Sequence, residues 1–302
     1  MKRKIDNTAT GALISVVFCW SLIPLFLKYF TAYIDGWTAN AIRYPFSALL
    51  YLPWLWTVHR QKRLTKQIWK LALLPAFVNL FGQTFWAWTP YFIDPGLMSF
   101  LYQLSILWAV LLSFILFKDE RKLIASSNFW LGLSFAAIGF ISMILGKNHT
   151  FSGTTAIGVT MVFFCSIFSA GYQVLIRRNL HTVDSRTAFG MVVSLTSVGL
   201  IVSAFAFGHP EQMLQLPLTV FLLILFSSII GIGLSHLLLY FAIKRLGVAI
   251  CTSTNLAGSF ITALISYVIF HETLTLLQWT AGFILIAGSM MLVRSQKDMQ
   301  IT

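Results

Sequence analysis

The stretch LSFILFKDE, residues 112–120, has a counterpart in ISYVIFHE, residues 265–272, and this pair decides the fold. Each copy is an apolar segment that ends at a glutamate, and the two glutamates, Glu120 and Glu272, are 152 residues apart. Gly82 and Gly233 repeat at nearly the same interval, 151 residues. Similarity at one interval is the signature of a duplicated structural unit. The sequence therefore predicts two related halves, residues 1–147 and 148–302.

The composition predicts that both halves lie in a lipid bilayer. The 302 residues are 58% hydrophobic and 10% charged, with a mean hydropathy of +0.81, whereas a soluble domain is about one quarter charged. Too few charged residues are present to cover the surface of a soluble fold. The net charge of +12 comes from short basic clusters between apolar runs, which is typical of membrane-protein loops and argues against a nucleic-acid partner.

The apolar runs are long enough to cross a membrane. A spanning helix needs about 20 apolar residues, because the hydrocarbon core is about 30 Å thick. The N-terminal MKRK precedes a run that is too long for a secretory signal, so we interpret that run as a retained first span. Ten spans are predicted, at residues 12–30, 38–58, 68–88, 95–117, 126–146, 154–177, 187–207, 218–243, 248–270 and 276–294.

The basic residues predict how these spans are oriented. Cytoplasmic loops carry an excess of lysine and arginine. An even number of spans places both termini in the cytoplasm, and we expect a bacterial inner membrane. With this orientation, 18 of the 21 basic residues are cytoplasmic, namely Lys2, Arg3, Lys4, Arg60, Lys62, Arg63, Lys66, Lys70, Lys118, Arg121, Lys122, Arg177, Arg178, Arg186, Lys244, Arg245, Arg294 and Lys297.

Five spans in each half make the two halves enter the membrane from opposite faces. The predicted fold is therefore an all-α integral membrane protein with ten transmembrane helices in two inverted five-helix repeats. Such repeats are typical of secondary transporters, whose substrate site lies near the midplane between the repeats. We expect spans 1, 3, 4, 6, 8 and 9 to surround that site.

A set of motifs runs along both halves, namely Trp20-Ser21 and Lys28 in the first span, the span ends at Glu120 and Glu272, and LLLYFAIKRLGVA at residues 237–249. By these motifs the chain resembles, over nearly its whole length, the EamA family of the drug/metabolite transporter superfamily. The resemblance implies an alternating-access carrier, often an exporter of amino acids or other metabolites. It therefore makes a small-molecule substrate, with an amino acid as first choice, the expected partner.

Polar and aromatic side chains at mid-depth are the candidates for substrate contact, because helical backbone groups bond to one another. Trp20 and Ser21 precede Pro24, which can kink the first span. Gln83 lies one turn after Asn79 and shares its helix face. Ordinary packing and interhelical hydrogen bonds remain an alternative explanation. The predicted substrate-binding residues are Trp20, Ser21, Lys28, Asn79, Gln83, Trp86, Tyr102, Gln103, Tyr172, His236 and Asn255.

Three ionisable residues inside the spans leave two interpretations open. Lys28 and Arg43 lie toward the outer ends of their spans, where they can reach the headgroups or pair with Asp35, or can bind an anion. His236 is well inside a span and can change charge near neutral pH, so it is either a packing residue or a proton relay.

The acidic residues all fall in loops or at helix ends, which argues against a buried-carboxylate proton relay. We expect Glu120 and Glu272 to hold the junctions after spans 4 and 9. The copies differ just before these glutamates, where Lys118-Asp119 faces Phe270-His271, so their roles need not be equal. Small residues in spans 5, 9 and 10 predict close helix contacts; they are Gly132, Gly139, Gly258, Gly282 and Gly288.

Several other classes of function are disfavoured. Cys19, Cys165 and Cys251 lie in apolar runs without CxxC spacing, so neither disulfides nor a metal site are expected. The sequence has no nucleotide-binding GxxxxGK[ST] motif and no HExxH or GxSxG motif, so we expect no cofactor and no enzymatic activity. A membrane protein that does not transport, such as a sensor, an assembly factor or a lipid scramblase, remains the alternative.

Overall fold

The computed structural model of the chain describes residues 7–117, 127–146, 153–246 and 248–299. All regular structure in these residues is helical, and it comprises twelve α-helices joined by short turns. The helices are α1 (Asn7–Phe30), α2 (Gly36–Arg60), α3 (Lys66–Trp88), α4 (Pro95–Tyr102), α5 (Leu104–Leu116), α6 (Ser127–Leu145), α7 (Gly153–Asn179), α8 (Ser185–Phe207), α9 (Leu218–Ser228), α10 (Ser235–Leu246), α11 (Val248–Phe270) and α12 (Leu276–Met299).

Two of the predicted spans are helices with a break. The fourth is divided at Gln103 into α4 and α5, and the eighth is divided into α9 and α10 by a π-helical turn, Ile229–Leu234. A π-turn leaves backbone carbonyls without their usual helical partners, and hydrocarbon offers no substitute. Protein side chains supply the missing donors, because the Ser235 hydroxyl bonds the Gly231 carbonyl at 2.8 Å and the Tyr51 hydroxyl bonds the Gly233 carbonyl at 2.7 Å.

The helices are those of a multi-pass membrane protein. All ten predicted spans are helical in the described residues, and seven helical segments are long and apolar enough to cross a bilayer. Of the other three predicted spans, α2 is not among the seven, and the part of α11 and α12 whose side chains the structure describes comprises the shorter apolar stretches Leu256–Phe270 and Leu276–Met291. The seven segments are Asn7–Phe30, Lys66–Tyr91, Pro95–Leu116, Ser127–Leu145, Gly153–Asn179, Ser185–Phe207 and Leu218–Ala242.

Helices that hold equivalent places in the two halves run antiparallel to each other. α2 and α8 are equivalent, and the backbone N–H of His209, just after α8, donates to the Thr38 hydroxyl near the start of α2 at 3.2 Å. At their other ends, the Trp54 indole donates to the Thr187 hydroxyl at 3.0 Å. α6 and α12 are also equivalent, and the Gln278 amide at the start of α12 donates to the carbonyl of Met143 near the end of α6 at 3.3 Å.

Helices that are not equivalent pair in a reciprocal way. α1 packs against α10, and α3 packs against α7, so the first helix of each half contacts the third of the other. In the same way, α1 contacts α11 while α5 contacts α7. Reciprocal contacts of this kind are what a two-fold relation between two similar units produces.

Glycine allows α6 and α12 to approach each other closely, as the sequence predicts. A Cβ atom placed on Gly139 would lie 2.5 Å from the backbone nitrogen of Leu285, and one on Gly288 would overlap that of Ala136. Gly282 is packed against the ring of Phe100 instead. Two backbones in direct contact leave no room for even a methyl group.

Gly139→Ala and Gly288→Ala are therefore expected to lower the melting temperature of the protein in detergent. The methyl group would meet backbone atoms, which cannot rotate away, and overpacking of this kind costs about 1–3 kcal/mol. Gly11→Ala is the matched control, because no atom lies within 4 Å of a Cβ at that position. An unchanged melting temperature in both α6 and α12 variants would contradict the close approach.

Candidate functional site

A cavity of about 480 Å³ lies between the two halves of the protein. Helices α1, α3, α4, α5, α7, α10 and α11 contribute to its wall, which covers the spans predicted from the sequence. α2 contributes Arg43 and Tyr44, and α8 contributes Ser185 and Ala188, although spans 2 and 7 are absent from the predicted set. The wall therefore includes residues from two spans, the second and the seventh, that the sequence does not predict to surround the site.

Most of the predicted substrate-binding residues meet in this cavity. Asn255 belongs to α11, but its side chain lies outside the described part of the structure. Lys28 and Asn79 are described and lie elsewhere. The eight predicted residues that line the cavity are Trp20, Ser21, Gln83, Trp86, Tyr102, Gln103, Tyr172 and His236.

Aromatic side chains cover much of the wall. Trp20 donates its indole N–H to the Ser235 hydroxyl at 2.9 Å, which ties α1 to the residue that follows the π-turn. The rings of Trp86 and Tyr102 lie 4.8 Å apart between their centroids. Such rings present flat apolar surfaces whose polar atoms reach the cavity or a neighbouring helix.

His236 is held in one orientation and one tautomer. Its ring stacks on Phe189 with 5.0 Å between centroids and meets the edge of Trp20 at 5.4 Å. Its Nδ1 atom lies 3.0 Å from the carbonyl oxygen of Ile232, which can only accept a hydrogen bond, so Nδ1 carries the proton. In the neutral ring, Nε2 is then a hydrogen-bond acceptor.

Gln103 occupies the break between α4 and α5 and is bound to the other half. Its amide donates to the Ser259 hydroxyl at 2.6 Å, and that hydroxyl donates to the carbonyl of Ser99 at 3.0 Å. Ser99 and Ser259 also line the cavity. The break in the fourth span thus supplies polar groups to the cavity and fixes α4 to α11.

Asn79 and Gln83 have different surroundings although they lie one turn apart on α3. The Asn79 amide donates to the Thr196 hydroxyl of α8 at 3.3 Å and is buried in that helix contact. Gln83 lines the cavity, and its backbone carbonyl accepts a hydrogen bond from the Asn40 amide at 2.8 Å. The packing interpretation therefore describes Asn79.

Lys28 and Arg43, the two cationic residues inside the predicted spans, have partners that the sequence does not reveal. Lys28 forms an ion pair with Asp94 at 3.0 Å and donates to the Pro90 carbonyl at 3.0 Å, so of the alternatives left open by the sequence, pairing with Asp35 does not describe it. Asp35 instead caps α2 by accepting from the N–H groups of Trp37 and Thr38. Because the Asp35 carboxylate is engaged as the cap of α2, Asp94, which is distant in sequence but close in space, pairs with the lysine.

Arg43 does not reach the headgroups, because it is 2% exposed. Its Nε donates to the Ser227 hydroxyl at 3.1 Å, and Nη1 lies 3.5 Å from the Asn40 amide oxygen. Both partners are neutral. The side chain turns inward beside the π-turn, where Nη2 lies 3.5 Å from the place that a Cβ on Gly231 would take.

One end of the cavity is open and the other is closed. We call the end that contains Arg60, Arg177 and Arg186 the Arg177 end, and the opposite end, with Asp35, Asp94 and Glu272, the Glu272 end. At the Arg177 end the cavity wall includes the exposed His181, so the cavity reaches the surface there. The largest cluster of buried apolar residues, which includes Phe30, Leu97, Phe100 and Ile224, lies toward the Glu272 end.

Polar contacts between the halves also close the Glu272 end. The Glu272 carboxylate accepts from the backbone N–H groups of Gly96 at 2.7 Å and Leu97 at 2.9 Å, at the start of α4, and from the Ser266 hydroxyl at 2.5 Å. Burial raises the pKa of Glu272, while these donors favour its charged form. The sequence predicts that Glu272 holds the junction after span 9, whereas in the structure it caps α4, a helix of the other half.

Comparison with known proteins identifies one family. The profile of the EamA-like transporter family matches residues 8–146 and again residues 156–294. A protein of Haemophilus influenzae named "Uncharacterized transporter" is 23% identical over 196 residues, and the match covers 63% of this chain and 63% of that protein's length. A protein crystal structure is similar with a TM-score of 0.63 over 94% of this chain and 95% of its own, at 14% identity, which shows the fold alone.

Gln83→Cys is expected to react with a water-soluble thiol reagent when it is introduced into a chain without native cysteines. Gln83 lines the cavity, so the reagent reaches it from the Arg177 end. Asn79→Cys is the matched control on the same helix, and we expect it to react at least about tenfold more slowly, since access there requires local opening of the α3–α8 contact. Equal labelling rates in detergent would contradict the assigned cavity wall.

Proposed function

We propose that this chain, which belongs to the EamA-like transporter family of membrane transporters, is a secondary-active carrier. In this proposal it exports a small metabolite, such as an amino acid, by alternating access. The proposal places it in a bacterial inner membrane. One observation carries it, namely a cavity between two related halves that is open at one end and closed at the other by a few polar contacts.

We propose that the ten predicted spans all cross the membrane as two inverted five-helix repeats, residues 1–147 and 148–302. The antiparallel contacts of α2 with α8 and of α6 with α12 support this arrangement, because equivalent helices of inverted repeats must run in opposite directions. The family profile supports it as well, since it matches each half once.

The distribution of charge supports an orientation with the Arg177 end in the cytoplasm, which places both termini there. The cavity in this structure then faces the cytoplasm. In this state an exporter takes up its substrate, and the contacts at the Glu272 end must break before release on the other side.

Glu272 is the proposed latch of the closed outer end. Its hydrogen bonds to the N–H groups of Gly96 and Leu97 hold the loop after α11 against the first turn of α4, so the outer end cannot open while they persist. Glu120 occupies the equivalent place in the first half and lies outside the described residues. Repeat equivalence makes it the candidate for the same role at the cytoplasmic end.

The scramblase alternative requires a path that a lipid headgroup can follow along the outside of the protein. The described groove on the lipid-facing side lies between α3 and α7 and is lined chiefly by phenylalanine and aliphatic side chains, such as Phe81, Phe85, Phe164 and Phe168. Such a surface suits acyl chains, and the Thr160 side chain is the one polar side chain among its described lining residues that could bond to a charged headgroup. The cavity that carries polar groups lies between the halves instead.

Purified protein in proteoliposomes is expected to show saturable uptake of at least one amino acid or related metabolite. Trp20→Ala should lower that flux at least about tenfold, because it removes a wall of the cavity together with the hydrogen bond to Ser235. Trp56→Ala is the matched control, since Trp56 is 60% exposed on the outside of α2. Flipping of a labelled lipid without flux of any metabolite would overturn the carrier proposal.

Glu272→Gln is expected to open the outer end more often. The N–H groups of Gly96 and Leu97 bond to different carboxylate oxygens, and the amide replaces one of these oxygens with an NH2 donor and carries no charge. Charge-assisted hydrogen bonds contribute about 1.5–3 kcal/mol, so the outward-open population should rise about tenfold or more. The Gln83→Cys probe in cells, treated from outside with a membrane-impermeant thiol reagent, measures this population.

Glu211→Gln is the control for that experiment, because Glu211 lies at the same end, pairs with His209 and is well exposed. It should leave external labelling of the probe unchanged. If Glu272→Gln labels no faster than Glu211→Gln, the carboxylate is not the latch.

A further inference from the structure

Arg43 brings a positive charge into the wall of the cavity without a carboxylate beside it. The side chain is 2% exposed and lines the cavity together with Tyr44, Gly231 and Ile232. Among the described residues its hydrogen-bond partners are the Ser227 hydroxyl and the Asn40 amide oxygen, and neither is charged.

This arrangement leaves the guanidinium incompletely satisfied. Arginine has five N–H donors in a planar fork, and the two hydrogen bonds to described residues leave three of them without an acceptor there. A buried charge is costly unless it is paired and hydrogen-bonded. The free donors of Arg43 therefore favour an acceptor that arrives from the cavity.

Among the described residues, the wall of the cavity carries no negative charge. Arg43 lines it, and no described aspartate or glutamate does. The acids of the Glu272 end are engaged elsewhere, with Asp94 bound to Lys28, Asp35 capping α2 and Glu272 holding α4. A recess with charge of one sign concentrates ligands of the opposite charge and repels those of its own.

We infer that Arg43 is the anion-binding residue of this cavity and that the transported metabolite carries a carboxylate. The inference rests on the proposed function and deepens it. One guanidinium fork matches one carboxylate in both geometry and charge. No described residue of the cavity wall is an acid that would pair with an ammonium group, so the carboxylate is required and an amino group is tolerated.

The rest of the wall agrees with a small organic acid. Trp86, Tyr102 and Tyr44 offer ring surfaces for an apolar portion of the molecule, and Nε2 of His236 offers an acceptor for a hydroxyl or amino group. A purely structural role for Arg43, as a link between α2 and α9 through Ser227, would affect folding without any preference for carboxylates. The two roles therefore differ in a measurable way.

The test compares matched compounds in proteoliposomes that contain the wild-type protein. The probes are the standard amino acids, their carboxyl amides, their decarboxylated amines and their deaminated acids. Each is measured as uptake and as competition with a radiolabelled substrate of the same panel. We expect the amino acids and deaminated acids to be bound, and the amides and amines to bind about tenfold to a hundredfold more weakly.

Three variants then assign the preference to one residue. Arg43→Gln should raise the half-saturating concentration of carboxylates about tenfold to a hundredfold and abolish the difference between acid and amide. Arg43→Lys keeps the charge without the fork, so it should retain part of the preference. Arg60→Gln removes a charge from the exposed end of the same helix, where Arg60 lies over the Trp56 ring, and should match the wild type.

The outcomes distinguish a failure of the carboxylate inference from a failure of the proposed transport function. If amides or amines are carried as well as acids, or if folded Arg43→Gln still prefers acids, the carboxylate inference is overturned while transport stands. If no compound of the panel moves, the proposed function fails and the inference with it. Size-exclusion profiles and melting temperatures show which variants are folded, and the wild-type series decides the ligand class even if Arg43→Gln is not.

Discussion

Hydrocarbon cannot form hydrogen bonds, and the breaks in this fold are placed accordingly. A continuous helix satisfies its own backbone, so it can face lipid on any side. A helix with a break needs partners from the protein, and here the Ser235 and Tyr51 hydroxyls serve the π-turn while Gln103 marks the break before α5. Both breaks line the cavity. The irregular backbone therefore collects polar side chains at the place where a substrate site is proposed.

The same constraint explains why the two ends of the protein differ in this state. Closing an end means burying polar groups that water would otherwise solvate, so each must find a hydrogen-bond partner within the protein. At the Glu272 end the Glu272 carboxylate meets two backbone N–H groups of the other half and the Ser266 hydroxyl of its own half. A few such contacts are sufficient to keep this end closed, and the free energy needed to break them is small enough for the closure to be reversible.

Much of this could be predicted from the sequence, because hydropathy and internal similarity are local properties. The helical spans, the two copies and most of the cavity wall follow from them. The contacts of Lys28, Asn79 and Arg43 do not, since each depends on a helix that packs beside it. Asn79 meets Thr196 and Arg43 meets Ser227, and no spacing along the chain reveals either partner. The predicted ends of the spans also place Arg43 near the membrane surface, whereas packing against α9 buries it.

In the proposed carrier, the buried guanidinium would link substrate binding to the conformational change. While the cavity is open at the Arg177 end, water can enter it and solvate the free donors of Arg43. When both ends are closed, an empty cavity would hold this charge away from bulk water without a counter-ion, which is costly. A bound carboxylate removes that cost, so the loaded protein reaches the closed state more easily than the empty one. The charge that selects the ligand thereby also favours movement of the loaded carrier over that of the empty one.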